Sequence, residues 1–477
     1  MTTEIQNREK VRVRFAPSPT GNLHIGNLRT ALFNWLFARH NHGTFLVRLE
    51  DTDRERSKQE YADSLFDMLE WIGLTSDEPI IKQSDRFPEY TRLVEQLVAQ
   101  GKAYRCFCSQ QQIEARQKAA GLDPAYAGYD GFCRDLPPQK QDLSRPHVIR
   151  FKIPRDIEEI TFDDLVRGPI SFKTAEIDDF VLVRSDGTPT YNFVVVIDDA
   201  LMRITQVIRG EDHISNTPKQ IFLYQAFDYA VPQFAHIPLI LGPSGARLSK
   251  REAATSVIEY RRDGYLADAL VNYLVRLGWS HGDQEIFTCK ELIDYFTLDH
   301  VGKKGAIFDK EKLDWINGLY MRQTPNDRLL TDITTYVDKE FLDKIKGWSN
   351  QQIIELIDLY KQRMQTLREL ANELISFYKM PEQYNSEAIT KWITDESKQY
   401  LTLFIERLEK QDDFGADALS AMTKSLCEGL SVKLVKLAQP IRIALTGSSA
   451  SPGVFELLSI LGKQESIARL KAFVAWL

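Results

Sequence analysis

Two stretches more than two hundred residues apart carry the side chains best suited to chemistry on a phosphate. In "RFAPSPTGNLHIGN", residues 14–27, His24 stands where an alternating apolar run gives way to a helical pattern. The first turn of such a helix presents unpaired backbone N–H groups and the positive end of its dipole, which favour an anion. Gly21 and Gly26 leave room for a phosphate, and Pro17 and Pro19 hold the loop in shape. An imidazole N–H there suits a phosphate oxygen on which charge builds, although a histidine that merely caps the helix is the plainer reading. The second stretch, "GARLSKRE", brings Arg247, Lys250 and Arg251 onto a glycine-flanked polar loop. A lysine reaching a phosphate stabilises the charge that spreads over its oxygens in a transition state. Alone the cluster reads as a solvated loop; paired with His24 it reads as a phosphoryl site.

A third constellation is metal-like. "CFC" and "YDGFC" supply Cys106, Cys108 and Cys133, with Tyr129 and Asp135 as alternative fourth ligands. Three thiolates and one oxygen suit a tetrahedral structural Zn²⁺ that pins a segment too small for a good core. A carboxylate ligates readily, whereas a phenol must first lose a proton with a pKa near ~10. The alternative is a vestigial site that folds without metal. Cys289 and Cys427, isolated among apolar residues in helical patterns, are expected to be core. Asp51 and Asp53 in "EDTDRERS" resemble a metal pair but are expected to be acids at a helix N-terminus.

These residues need elements to hold them. "VRVRFA" (11–16) alternates and stops at Pro17, so it is expected as a strand. Leu28, Ala31, Leu32, Trp35 and Leu36 recur at helical spacing, "TFLVRLE" is a second strand, and Tyr61 to Ile72 is helical again. That is the opening of a doubly wound parallel α/β sheet. Residues from about 100 to 190 break the rhythm and look inserted; it resumes at "TYNFVVVIDDALM", "ITQVIRGED" and "SNTPKQIFLYQAF". Past the lysine loop the chain turns helical. Ile353, Leu356, Ile357, Tyr360, Met364, Leu367 and Leu374 are expected on one helical face.

With 477 residues the chain exceeds what one core can organise. A net charge of −7 argues against polyanion binding over the whole surface while leaving room for a local basic face. The polar start "MTTEIQNREK" resembles neither a secretory signal nor a transit peptide, and no apolar run is long enough for a bilayer, so a cytoplasmic protein with reduced thiols is expected.

"LHIGN" and "RLSKR" resemble the HIGH and KMSKS signatures of class I aminoacyl-tRNA synthetases. "RFAPSPTG", "RLEDTD", "VIRGEDH" and "NYLVRLGWSHGDQEIFT" resemble the bacterial glutamyl-tRNA synthetases, in the family's order and over nearly the whole chain. Asn27 and Arg247 depart from the signatures but keep polar or basic character. The resemblance implies ATP, with Mg²⁺ arriving on it, at His24, Gly26, Asn27, Arg247, Leu248, Ser249, Lys250 and Arg251. It implies glutamate at Arg14, Ala16, Ser18, Glu50, Tyr191 and Arg209. Chemistry agrees: glutamate has one ammonium and two carboxylates, so its site needs one anion, here Glu50, and at least two cationic or strong donor groups. Arg14, Glu50, Tyr191 and Arg209 are expected at strand ends opening on one crevice.

The implied architecture is a Rossmann catalytic core (9–100 and 191–242), an inserted α+β domain that holds the tRNA acceptor end (101–190), a connecting unit with the lysine loop (243–322), and an all-helical anticodon-binding region (323–477). The implied activity is ATP-dependent joining of glutamate to tRNA-Glu by a monomer, with tRNA-Gln left open as a second acceptor. The rivals are a catalytically silent tRNA-binding paralogue and a glutaminyl-tRNA synthetase. Retention of His24, Lys250 and both pocket arginines speaks against the first, and a C-terminal region without strand alternation against the second.

Overall fold

A computed structural model describes residues 10–53, 55–123, 127–137, 141–248 and 256–477. The chain folds as two compact units, Met1–Ile258 with Val271–Asp309, and Glu259–Leu270 with Lys310–Leu477.

The first unit is built on parallel strands. β1 (Arg12–Phe15) pairs with β2 (Thr44–Leu49) in a register that sets Arg14 opposite Leu46, and β2 pairs with β3 (Ile81–Lys82). Helix α1 (Ile25–His40) makes the crossover between β1 and β2. The turn after it closes at Gly43, where a Cβ would meet the Val11 carbonyl oxygen at 2.5 Å. Helices α2 (Gln59–Ile72) and α3 (Phe87–Ala99) flank β3.

The inserted segment begins with β4 (Ala103–Cys106) and α4 (Gln110–Ala119), and β5 (Val148–Phe151) follows. The hairpin of β6 (Glu159–Asp164) and β7 (Gly168–Lys173) and the strand β8 (Val181–Val183) complete it. β4, β5 and β8 form an antiparallel sheet of their own. The hairpin does not join it. Instead β6 pairs with β10 (Gln233–Ile237), which pairs in parallel with β9 (Gln206–Gly210). Just before β9, the Thr205 N–H donates to the Arg12 carbonyl at 2.9 Å, so β9 lies beside β1. The strand ends of β1, β2 and β9 thus come together, as a doubly wound sheet requires.

"FVVVI" lies within a helix, α5 (Tyr191–Leu201), not a strand. Its apolar residues are buried all round, so tertiary packing overrides their β-branched preference and no polar face marks the period. Helix α6 (Thr217–Ala226) packs beside it. Strands β11 (Ile240–Leu241) and β12 (Ala306–Ile307) pair near the end of the unit.

The second unit is helical. The apolar stripe over 353–374 belongs to two helices, Asn350–Lys361 and Leu367–Tyr378, and Met364 lies in the break. Thr366 and Glu369 form a capping box that starts the second helix. Among the described residues no helix is long and apolar enough to cross a membrane.

Candidate active site

The loop from β1 to α1 is tied down by its proline carbonyls. Pro17 accepts from the Glu50 N–H at 2.9 Å and Pro19 from the Lys58 N–H at 3.2 Å. His24 is the N-cap of α1, and its Nδ1 accepts from the Gly26 N–H at 3.1 Å. The plain reading of His24 as a cap is therefore correct, and it has a chemical consequence. With its Nδ1 lone pair engaged, a neutral ring carries its proton on Nε2, as a donor.

The loop, the start of α1 and the ends of β1, β2 and β9 enclose a cleft of about 510 Å³. Arg14, Ala16, Ser18, Glu50, Tyr191 and Arg209 all line it, as do His24, Gly26, Asn27, Arg247 and Leu248. Gly21 does not: a Cβ there would meet open space, so its hydrogen is not what makes room for a ligand. Arg247 is exposed and bridges to Leu241, while the Leu248 N–H donates to the Ile240 carbonyl. Ser249, Lys250 and Arg251 lie outside the described residues. Tyr191 stands at the first position of α5 rather than at a strand end, and its hydroxyl is 3.3 Å from His213 Nδ1.

Beneath the cleft lies a buried charge cluster that the sequence pattern did not point to. Asp199 on α5 accepts from Arg14 Nε at 3.0 Å and Arg48 Nη1 at 2.5 Å. Arg48 Nη2 reaches Glu50 at 3.2 Å, and Asp198 lies 3.8 Å from Arg48 Nε. Burial by itself would lower the pKa of Arg48; Asp199, Asp198 and Glu50 overcome it and hold the guanidinium firmly charged. Burial pushes the Glu50 carboxyl up against the pull of Arg48 and Arg14. Arg48 could have been seen: it breaks the apolar run of β2 on a strand buried on both faces. Asp198 and Asp199 were masked by their place in an apolar helix.

Arg209 is held differently. Its Nε donates to His236 Nε2 at 3.0 Å, Nη1 to Gln220 at 2.8 Å, and Nη2 to Thr217 at 2.8 Å and the His213 carbonyl at 3.3 Å. No carboxylate is among these partners. Burial, aided by repulsion from Arg14, lowers its pKa. Burial and Arg209 also take His213 down to about 4, so that ring is neutral.

Asp51 and Asp53 do not stand at the start of α2. Asp51 accepts from the Ser84 N–H at 2.8 Å and from its hydroxyl at 2.6 Å, and Asp53 accepts from the Arg56 N–H at 3.2 Å. Helix α2 begins later, at Gln59, after the Ser57 N–H has closed back on the Asp53 carbonyl at 2.9 Å.

The sulfurs of Cys106, Cys108 and Cys133 all lie within 4.8 Å of one another. Cys106 ends β4, and the capping box of Ser109 starts α4 directly after Cys108, which fixes the C-x-C turn. The Tyr129 hydroxyl is 3.2 Å from Cys106 Sγ and 3.9 Å from Cys108 Sγ, and it accepts from the Cys133 N–H at 2.8 Å. Asp135 is turned outward, 81% exposed, and paired with Lys152 at 2.8 Å. The oxygen beside the thiols is that of Tyr129. Three sulfurs and one oxygen at these separations match the donor set of a structural zinc site. Cys427 is buried as expected; Cys289 is exposed at the first position of its short helix, where its side chain leaves the core.

Comparison with known proteins identifies the family. Residues 10–315 match the family model of the catalytic domain of class I tRNA synthetases (E and Q), and residues 328–474 match that of an anticodon binding domain. The chain is 47% identical over 468 residues to a glutamate–tRNA ligase of Geobacter sulfurreducens, covering 98% of this chain and 99% of that one. It is 46% identical to one of Thermodesulfovibrio yellowstonii, covering 97% and 99%. A crystal structure of a glutamate tRNA ligase from Elizabethkingia meningosepticum in complex with its amino acid superposes with a TM-score of 0.88 at 35% identity, covering 98% and 99% of the two chains. The motifs, the fold around them and these full-length likenesses converge on one conclusion: the chain belongs to the glutamate–tRNA ligases, class I aminoacyl-tRNA synthetases that use ATP to join glutamate to tRNA.

Proposed function

We propose that the cleft under the β1–α1 loop is where glutamate is activated, and that its charges are matched to that amino acid. The observation that carries this reading is one anion, Glu50, its side chain 9% exposed, facing the same space as two buried guanidiniums, Arg14 and Arg209. Glu50 receives the ammonium, with Ser18 and Ala16 forming the wall beside it. Arg14 and Arg209 receive the carboxylates, with the Tyr191 hydroxyl as a further donor. Arg14 spends only its Nε on Asp199; neither terminal nitrogen has a hydrogen bond to a described residue.

ATP lies along the start of α1, at His24, Gly26 and Asn27, with Arg247, Leu248, Ser249, Lys250 and Arg251 as its further partners. Mg²⁺ arrives with ATP as part of the substrate. The glutamate α-carboxylate attacks the α-phosphorus, and pyrophosphate leaves. His24 Nε2–H and Lys250 stabilise the oxygens that gain charge, and the terminal adenosine of tRNA then takes the acyl group. No group of the protein becomes covalently attached.

Cys106, Cys108, Cys133 and the Tyr129 oxygen hold a structural Zn²⁺, which cross-links the start and middle of the insertion. Residues 9–100 and 191–242 form the catalytic core, 101–190 hold the acceptor end, 243–322 connect, and 323–477 read the anticodon. The enzyme acts as a monomer in the cytoplasm, where ATP and tRNA are.

Two assays test this. Glutamate-dependent exchange of pyrophosphate into ATP is expected only with tRNA bound, and charging is measured on purified tRNA-Glu and tRNA-Gln side by side. Arg14→Gln is expected to cost ~2–5 kcal/mol in glutamate recognition with little change for ATP. Equal losses for both substrates would assign Arg14 to the fold instead.

A further inference from the structure

The inserted segment reaches β10, the strand that pairs with the Arg209 strand β9. Asp164 ends β6, and its carboxylate accepts from the backbone N–H groups of Val166 at 3.0 Å, Arg167 at 2.9 Å and His236 at 3.1 Å. Its Oδ2 also lies 2.6 Å from His236 Nδ1. His236, on β10, is fully buried, Asp164 is 4% exposed, and Arg209 is 5% exposed. On the far side of the imidazole, Nε2 accepts from Arg209 Nε at 3.0 Å. A carboxylate surrounded by donors on every side is ionised, so it takes the Nδ1 proton of His236 as its hydrogen bond. That leaves Nε2 as a lone pair aimed at Arg209, and the tautomer is settled at both ends. Burial keeps the ring neutral, and Arg209 and Arg167 add to that effect against the pull of Asp164.

We propose that Asp164 and His236 are positioning residues for Arg209: the insertion supplies a carboxylate that fixes the His236 tautomer, and the imidazole lone pair aims the guanidinium into the glutamate site. The proposal rests on the reading of Arg209 as a carboxylate receptor. It gives the insertion a part in amino-acid recognition besides any contact with tRNA.

Two substitutions at His236 separate the ends of the relay. In His236→Gln the amide oxygen reaches the place of Nε2 and keeps an acceptor for Arg209. In His236→Asn the shorter amide faces Asp164 and leaves Arg209 Nε without an acceptor. Asp164→Asn keeps the imidazole but turns an amide NH₂ toward Nδ1, because its oxygen is held by the Val166 and Arg167 N–H groups. The ring must then carry its proton on Nε2, donor against donor with Arg209.

Each variant is assayed for glutamylation of tRNA with glutamate and ATP varied in turn, with the thermal midpoint as a folding check. The expected result is a glutamate KM raised ~10-fold or more in His236→Asn and Asp164→Asn, within ~3-fold of the parent in His236→Gln, and an ATP KM little changed in all three. Equal glutamate KM values for His236→Asn and His236→Gln, or an unchanged one in Asp164→Asn, would overturn the relay. Should one variant not fold, the other still decides it. Arg209→Gln is the control: if that variant keeps its glutamate KM, the role of Arg209 fails, whatever the relay does.

Discussion

The two arginine-bearing walls of the cleft satisfy a buried cation in opposite ways. Arg14 has a carboxylate beside it, Asp199, which it shares with Arg48, while its two terminal nitrogens have no hydrogen bond to a described residue. Arg209 is equally buried, yet every described group that holds it is neutral. A paired wall is held by its charges; a wall of neutral acceptors fixes the direction of a charge and leaves its counter-ion to come from elsewhere. The difference teaches where the cleft lacks negative charge, which a substrate carboxylate supplies on the proposed reading.

The sharpest way to break the comparison is at Asp199. Asp199→Asn removes the anion between two buried guanidiniums and is expected to cost about 3–5 kcal/mol of folding stability, read by denaturant unfolding. A loss under about 1 kcal/mol would mean that the paired wall is not held by its charges.

Lys250 lies outside the described residues, and its role is open to test. If it meets charge that appears only in the transition state, Lys250→Ala lowers kcat by ~10²–10³-fold, about 3–4 kcal/mol, and leaves the glutamate KM nearly unchanged. Single-turnover glutamylation within a few-fold of the parent would remove it from the chemistry.

How much of this was open to a reader of the sequence depends on where each signal sits. The β1–α1–β2 unit and the cleft residues on it were legible because each strand ends in a loop that announces itself, at Pro17 and at "EDTD". Asp199 was not, because it follows "FVVVI", whose burial on all sides erases the helical period that would have placed it. The break at 362–366 was written in Thr366 and Glu369, a capping box that the continuous apolar stripe outvoted. The relay to Arg209 was beyond sequence reasoning altogether. Asp164, Arg209 and His236 meet only because β6 crosses to β10.

The thiol cluster extends the comparison to a third polar group, for which we propose a metal as the completing partner. Protein purified without chelator is expected to carry about one zinc per chain. In Cys106→Ser the metal and acceptor-end binding are expected to fall together, while the glutamate KM of the cleft stays as it was. Metal-free protein of full activity would make the cluster vestigial.

The smallest expected effect is in pH. If Glu50 receives the ammonium it must be ionised, and burial raises its pKa, so kcat/KM for glutamate should fall on acidification through a value above the ~4.3 of an ordinary glutamate. An acid limb at or below that value would place the ammonium elsewhere.

The most direct test is Arg209→Gln, because it removes a buried cation of the cleft that has no carboxylate among its described partners. Steady-state glutamylation with glutamate and ATP varied in turn, alongside denaturant unfolding, measures both halves of the claim. The expected result is a glutamate KM raised by ~30-fold or more, an ATP KM within ~3-fold, and a folding stability within ~1 kcal/mol of the parent. Equal losses for glutamate and ATP, or a destabilisation as large as that of Asp199→Asn, would contradict it.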